Sequence, residues 1–233
     1  MTLKLMTYNI ASGYGNAQPP VKNYAWAASI IKDEAPDIVS LNEVGKRLPE
    51  GVKSHAGYIG EFTGMNWAFF EAINISGGPY GNAQLSKYKL RETRTLHIPD
   101  APVTDKSYYE HRCIGLSRII LPDGRTIKVI NSHFGLAPGE HTNAVKTICA
   151  ELDRTFDPVI LMGDFNMKPD NPKMKPIYDR LISVDDVLPT FPSDKPDRKI
   201  DYIFVSKEFK VLSVTVPRTE ASDHAPLVAE VEF

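Results

Sequence analysis

Residues 126–163 decide the fold. Thr126-Ile127-Lys128-Val129-Ile130-Asn131-Ser132-His133-Phe134 (126–134) alternates as a strand does, and 139–155 carries Ala144, Val145, Ile148 and Leu152 at helical spacing, with Phe156 continuing the stripe. Pro158 stops that helix, and 158–163, with Val159-Ile160-Leu161-Met162-Gly163, reads as a second strand. A crossover of this length favours parallel neighbours, which brings His133 and Asp164 out at one edge of one sheet. The N-terminal segment repeats the pattern. A strand at 3–10, a helix at 20–34 with Tyr24, Ala27, Ala28 and Ile31 on one side, and a strand at 37–42 bring out Asn9 and Glu43.

Short strands are predicted at 67–73, 83–90, 92–97, 112–121, 200–206, 211–216 and 226–232, with a hairpin turn at Pro122-Asp123-Gly124-Arg125. The whole list fits an α/β protein in which two stacked mixed sheets are flanked by helices. Strands that begin at Asp201 and after Asp223-His224 then return those residues to the rim where the parallel strands end. No linker, charge block or repeat divides the 233 residues, so a single domain over 1–233 is expected.

With 42% hydrophobic residues the chain can bury a substantial core. A formal net charge of −2 argues against nonspecific grip on a nucleic-acid backbone. The small basic clusters Lys87/Lys89/Arg91/Arg94 and Lys168/Lys173/Lys175 read as solvated surface. Two cysteines, Cys113 and Cys149, make neither a disulfide framework nor a zinc cluster. No apolar run has membrane-spanning length. A first strand within three residues of Met1 leads us to expect a cytoplasmic protein, or a secreted or periplasmic one if a leader has been removed; a monomer is expected.

Seven polar residues or pairs at strand termini carry the chemistry. In Gly163-Asp164-Phe165-Asn166, alternation puts Asp164 and Asn166 on one face, where they can orient a water or simply form an Asx turn. Glu43, Asp223 and the amide of Asn9 make an all-oxygen set suited to Mg²⁺ or Mn²⁺. Asp201 is placed to accept a hydrogen bond from a histidine, or merely to start a strand. His133 reads either as a phosphate contact or as a structural histidine. Together these residues point to a metal-dependent hydrolase.

The order of Thr7-Tyr8-Asn9-Ile10, Leu41-Asn42-Glu43-Val44, Asn131-Ser132-His133-Phe134, Gly163-Asp164-Phe165-Asn166, Ile200-Asp201-Tyr202-Ile203 and Ser222-Asp223-His224-Ala225-Pro226-Leu227 closely resembles the endonuclease/exonuclease/phosphatase, or DNase I-like, superfamily. The resemblance implies a four-layer α/β/β/α sandwich and divalent-metal-dependent hydrolysis of a phosphoester. By motif, Glu43 would be the main metal ligand, assisted by Asn9 and Asp223. Asp164 would orient or deprotonate the attacking water beside Asn166. His224, paired with Asp201, and His133 would contact the phosphate. Arg112 resembles a family arginine near the phosphate, with a structural role as the alternative, and Asn82 is expected to face the cleft.

Two positions depart from the repair-endonuclease pattern, Ala11 where an aspartate is usual and His133 where tyrosine is, and Asn42 stands where members of the family usually carry glutamine before the metal glutamate. With the mild charge, this favours a small or lipid-derived phosphoester as substrate. A DNA or RNA nuclease is the alternative within the same chemistry, and a catalytically silent binding module is the alternative outside it. The loops at 11–20, 44–66, 98–111 and 166–198 are expected to shape the cleft.

Overall fold

Both strand–helix–strand units form as the sequence predicts, and each seeds a sheet. The computed structural model describes residues 1–16, 22–45, 54–75, 78–102 and 109–233. In the first unit β1 (Thr2–Asn9) and β2 (Ile38–Gly45) pair in parallel across α1 (Tyr24–Glu34), which Asn23 caps by accepting from Ala25 N at 3.0 Å. In the second, β7 (Thr126–His133) and β8 (Val159–Asp164) pair in parallel across α3 (Pro138–Leu152), whose start is held by Glu140 Oε2 accepting from Ala137 N at 2.8 Å.

Antiparallel strands complete the two six-stranded sheets. The elements not yet named are α2 (His55–Thr63), β3 (Asn66–Ile75), β4 (Gly78–Ser86), β5 (Leu90–His97), β6 (Cys113–Ile120), α4 (Lys175–Tyr178), β9 (Ile182–Ser183), β10 (Asp201–Val205), β11 (Lys210–Thr215) and β12 (Leu227–Glu232). The sheet orders are β11-β12-β1-β2-β4-β3 and β5-β6-β7-β8-β10-β9.

Strand alternation sorts the side chains into three apolar layers. Leu3, Leu5, Ile38, Val129, Ile160, Met162, Ile203 and Leu227 meet between the sheets. Met6, Tyr8, Val39 and Leu41 face α1 through Ala27, Ala28 and Ile31. Leu161, Phe165, Tyr202 and Phe204 face α3 through Ala144, Val145 and Ile148. Helix, sheet, sheet and helix therefore stack as four layers.

Several boundaries differ from the sequence reading, each for a local reason. The strand expected over 83–90 is two: β4 ends at Ser86, whose hydroxyl accepts from Tyr88 N at 2.9 Å, and the chain turns into β5 of the other sheet. Within the expected loop 44–66 lies α2, obscured by Gly57 and Gly60; a Cβ at Gly60 would come within 2.4 Å of the Trp67 ring, so this glycine permits close packing rather than marking a turn. Phe156 is no part of the helical stripe: α3 stops at Leu152, and Phe156 is wholly exposed. Residues 20–21 of the expected first helix, and parts of the loops at 11–20, 44–66 and 98–111, lie outside the described residues.

A buried histidine in α2 gives this layer a pH dependence. His55 Nδ1 accepts from Gly45 N at 3.3 Å, and its ring meets Tyr24 edge-on. Burial, reinforced by the charge of Lys22, pushes its imidazole down to about 3. Between pH 6.5 and that value the unfolded chain takes up a proton that the folded chain refuses, so stability falls as pH is lowered through the window. The stability margin of the wild type over His55→Gln is therefore expected to narrow by roughly 1.4 kcal/mol per pH unit below pH 6.5. Urea unfolding of both proteins across that range measures it, and a pH-independent margin contradicts it.

Candidate active site at the rim of the two sheets

The inter-sheet layer is apolar at one end and polar at the other. Continuing the inward-facing row of β1 beyond Leu3 and Leu5 gives Thr7 and Asn9; continuing β8 beyond Ile160 and Met162 gives Asp164; continuing β7 beyond Ile127 and Val129 gives Asn131 and His133. The antiparallel strands start at this same rim, where Asp201 pairs in register with Asp164 and Arg112 precedes β6. Residues from 9 to 224 thus gather at one edge of the sandwich.

Glu43 reaches this edge through a backbone irregularity. Along β2, Ile38, Ser40 and Asn42 face the other sheet, and Val39 and Leu41 face the helices, so a regular strand would aim Glu43 at the helices. The register with β4 instead slips between Leu41 and Val44, and Glu43 adopts φ 57°. Val44 takes the helix-facing place, and Glu43 turns toward Asn9. A left-handed conformation at a non-glycine residue is a local cost, and bulges commonly re-aim side chains in this way.

Asn9 then bridges the two sheets. Its Nδ2 donates to Glu43 Oε1 and to Asp164 Oδ2, each at 3.1 Å, while its Oδ1 accepts from Ala11 N at 3.1 Å. Asp164 lies 3.6 Å from His224 Nε2, whose Nδ1 lies 2.9 Å from Asp201 Oδ2. Thr190 donates to the same Asp201 oxygen at 2.5 Å. Ser222 ties this group to β1 by donating to Asn9 O at 2.7 Å. Asp223 is half-buried next to it, near enough for its charge to act on Glu43.

Burial and charge tune these groups in opposite directions. Asp164 is pushed up to about 7, first by burial and then by the charge of Asp201. Burial also raises Glu43, with Asp223 adding to the rise, and the amide of Asn9 opposes both. In His224 burial works against the charged form, but Asp201, Asp164 and Asp223 together outweigh it and hold the imidazolium up to about 10. His133 goes the other way, held neutral by burial and by the facing cations Arg112 and His224.

The second histidine is fixed from both sides. Arg112 can only donate, so its 2.9 Å contact makes His133 Nδ1 an acceptor and leaves the ring proton on Nε2, 3.5 Å from Asp164 Oδ2. Asn166, at φ 49°, places its amide 3.2 Å from the same Nε2 and donates to Phe134 O at 3.0 Å. Arg112 is itself buried and sits 3.4 Å from Glu110. Gly163 lets β7 and β8 close here: its φ is 150°, and a Cβ would fall 1.8 Å from Ser132 O.

Nine of the ten expected residues thus converge. Asn82 does not face the cleft. It is buried one row behind, accepting from Asn42 at 2.8 Å and donating to Cys113 O at 3.1 Å. Thr190 went unnoticed in the sequence because its partner lies across a loop, with no periodic pattern to link them. Asn131 carries a readable signal, since it is an amide following Ile127 and Val129 in its inward row; Asn42 follows Ile38 and Ser40.

The sequence profile of the Endonuclease/Exonuclease/phosphatase family matches residues 6–224. The chain belongs to that family, whose members are hydrolases of phosphate esters. A UPF0294 protein of Vibrio vulnificus (strain CMCP6) is 30% identical over 120 residues, covering 48% of this chain and 42% of that protein, so the chain spans less than half the length of this curated relative. An endonuclease/exonuclease/phosphatase from Beutenbergia cavernae DSM 12333 superposes with a TM-score of 0.80 at 21% identity, over 100% of this chain and 72% of the other. A mannosyl-6-phosphatase of Bacteroides thetaiotaomicron VPI-5482 does so with a TM-score of 0.80 at 18% identity, over 99% and 100%. At these identities the structural likeness carries the fold.

Proposed function

We propose that this protein is a divalent-metal-dependent phosphoesterase acting on a small or lipid-derived phosphoester. The observation that carries the reading is the bridge made by Asn9 between Glu43 and Asp164, with His224 set between Asp164 and Asp201.

The residues fit a hard cation. Glu43 is a half-buried carboxylate that makes no ion pair among the described residues, and desolvation and the charge of Asp223 beside it raise the cost of ionisation. A divalent ion removes that cost, and oxygen donors of this kind suit Mg²⁺ or Mn²⁺. Glu43 and Asp223 would hold it, with Asn9 orienting Glu43 through Nδ2 and keeping a second lone pair on Oδ1. When bound, the ion would supply positive charge to the phosphoryl oxygens. Asp164, Asp201 and His224 also have facing atoms within 4.8 Å of one another. A protonated His224 bonded to Asp201 offers a metal no lone pair at Nε2, so these three read as an imidazolium held between two carboxylates instead.

Asp164, poised near neutrality, accepts the proton of a water that attacks phosphorus opposite the leaving oxygen. Asn166 and the Nε2–H of His133 orient that water and the phosphoryl group. The His224 imidazolium offsets the negative charge that grows on the phosphoryl and leaving oxygens, and Asp201, braced by Thr190, holds it in place. Arg112 acts through His133, fixing its tautomer.

The chain's mild negative charge and its fold likeness to a mannosyl-6-phosphatase support a small substrate over nucleic acid. Hydrolysis of bis(p-nitrophenyl) phosphate with Mg²⁺ or Mn²⁺ is expected to stop on adding EDTA and resume on restoring the metal. A panel of sugar phosphates, inositol phosphates, phospholipid head groups and oligonucleotides is expected to show turnover among the first three. Metal-dependent cleavage of oligonucleotides alone would replace this substrate assignment with a nuclease. Turnover that ignores EDTA would refute the metal.

A further inference from the structure

Behind the rim lies a row of buried amides that the proposed chemistry does not use. Asn42 Nδ2 faces Asn82 Oδ1 at 2.8 Å within its own sheet, and Asn131 Oδ1 and Ser132 O, each at 3.1 Å, in the other. Its Oδ1 accepts from the backbone N–H of Asp164 at 3.0 Å. Asn131 returns the connection by donating to Leu41 O at 3.1 Å and Ala83 O at 2.7 Å. Asn42, Asn82 and Asn131 are all buried. Asn42 is thus the residue just before the bulged Glu43, and it grips the peptide of Asp164 directly.

We infer that Asn42 is a positioning residue: the cross-sheet tie that sets the separation between Glu43 and Asp164. The two carboxylates belong to different sheets, and sheets stacked through apolar side chains alone can slide by fractions of an ångström. Asn9 spans both carboxylates with a single amide nitrogen, so its orientation depends on that separation. A fixed separation keeps Glu43, oriented by Asn9, and the base Asp164 in register, and small errors of placement are costly in such sites. This inference rests on the function proposed above, and its test separates the two.

Gln84 provides the control. It ties the same sheets one row deeper, donating to Gly115 O at 3.1 Å and Val129 O at 3.3 Å and accepting from Ser117, and none of these bonds reaches a rim residue. Asn42→Leu and Gln84→Met each delete one buried cross-sheet amide, so a purely structural role makes them alike: both lower the unfolding midpoint and neither changes the site. A positioning role separates them. Asn42→Leu is expected to lower kcat by more than tenfold with KM little changed, and to weaken Mn²⁺ binding, titrated by electron paramagnetic resonance, by at least fivefold. Gln84→Met is expected to keep both within twofold. Should Asn42→Leu not fold, Asn42→Ser, whose hydroxyl is too short to span the sheets, carries the same expectation.

Equal Mn²⁺ affinity and kcat in the wild type and the Asn42 variants would overturn the inference and leave the proposed function standing. A wild type that binds Mn²⁺ but hydrolyses no phosphoester would refute the function, and the Mn²⁺ titrations alone would then decide the inference. A wild type that does neither overturns both.

Discussion

Asp164→Asn is expected to lower kcat by roughly 10²–10⁴-fold, about 3–5 kcal/mol of barrier, without destabilising the fold. The size follows from the role, because an amide of the same shape cannot take up the proton of the attacking water. The neutrality of the fold follows from the surroundings. Asn166 N donates to Asp164 Oδ1 at 2.9 Å, and Asn42 accepts from the backbone N–H; both bonds survive the substitution, while the bond from Asn9 Nδ2 to Oδ2 is lost. Burial and the charge of Asp201 already disfavour the Asp164 carboxylate, and relief of that penalty offsets the lost bond from Asn9 and the lost attraction to His224. Steady-state kinetics and thermal unfolding on the same preparation test this. Activity within tenfold of the wild type, in a protein of unchanged melting temperature, would exclude Asp164 as the base.

Glu43→Gln is expected to act through the cation. The substitution preserves the size of the side chain and an oxygen near Asn9, but it removes one of the two carboxylates that would hold the metal. At a fixed Mg²⁺ concentration the rate is expected to drop about 10²–10³-fold, the scale seen when one charge-stabilising group is lost. Raising Mn²⁺ should recover part of the loss, because the deficit lies in occupancy as well as in chemistry. The unfolding midpoint should hold or rise, since a half-buried charge with a like neighbour has been neutralised. A metal titration curve identical to that of the wild type would remove Glu43 from the cradle.

The parts of the site legible in the sequence are those set by alternation. Asn9, His133 and Asp164 each end a row that begins apolar, and the parallel crossovers force those ends to one rim. Asp201 and His224 were legible for the reciprocal reason, since antiparallel strands must begin where parallel ones finish. Glu43 was identified by motif, but its direction was not readable, because the slip in β2 depends on pairing with β4 more than thirty residues away. The direction of Asn82 is not legible, because its neighbours Ala83 and Leu85 mark a strand without saying which row meets the other sheet's amides. Thr190 and α2 were hidden for different reasons. The first depends on a loop reaching Asp201, and the second on glycines that serve packing beneath Trp67.

The bulge in β2 also bears on how relatives are to be compared. A chain lacking one residue there would run through the same core with Val39 and Leu41 undisturbed, yet present its acidic side chain to the helical layer. Homologues are therefore better aligned by counting inward from the rim than outward from the strand's beginning, and a single-residue gap at this point separates molecules that share an architecture from those able to share a reaction.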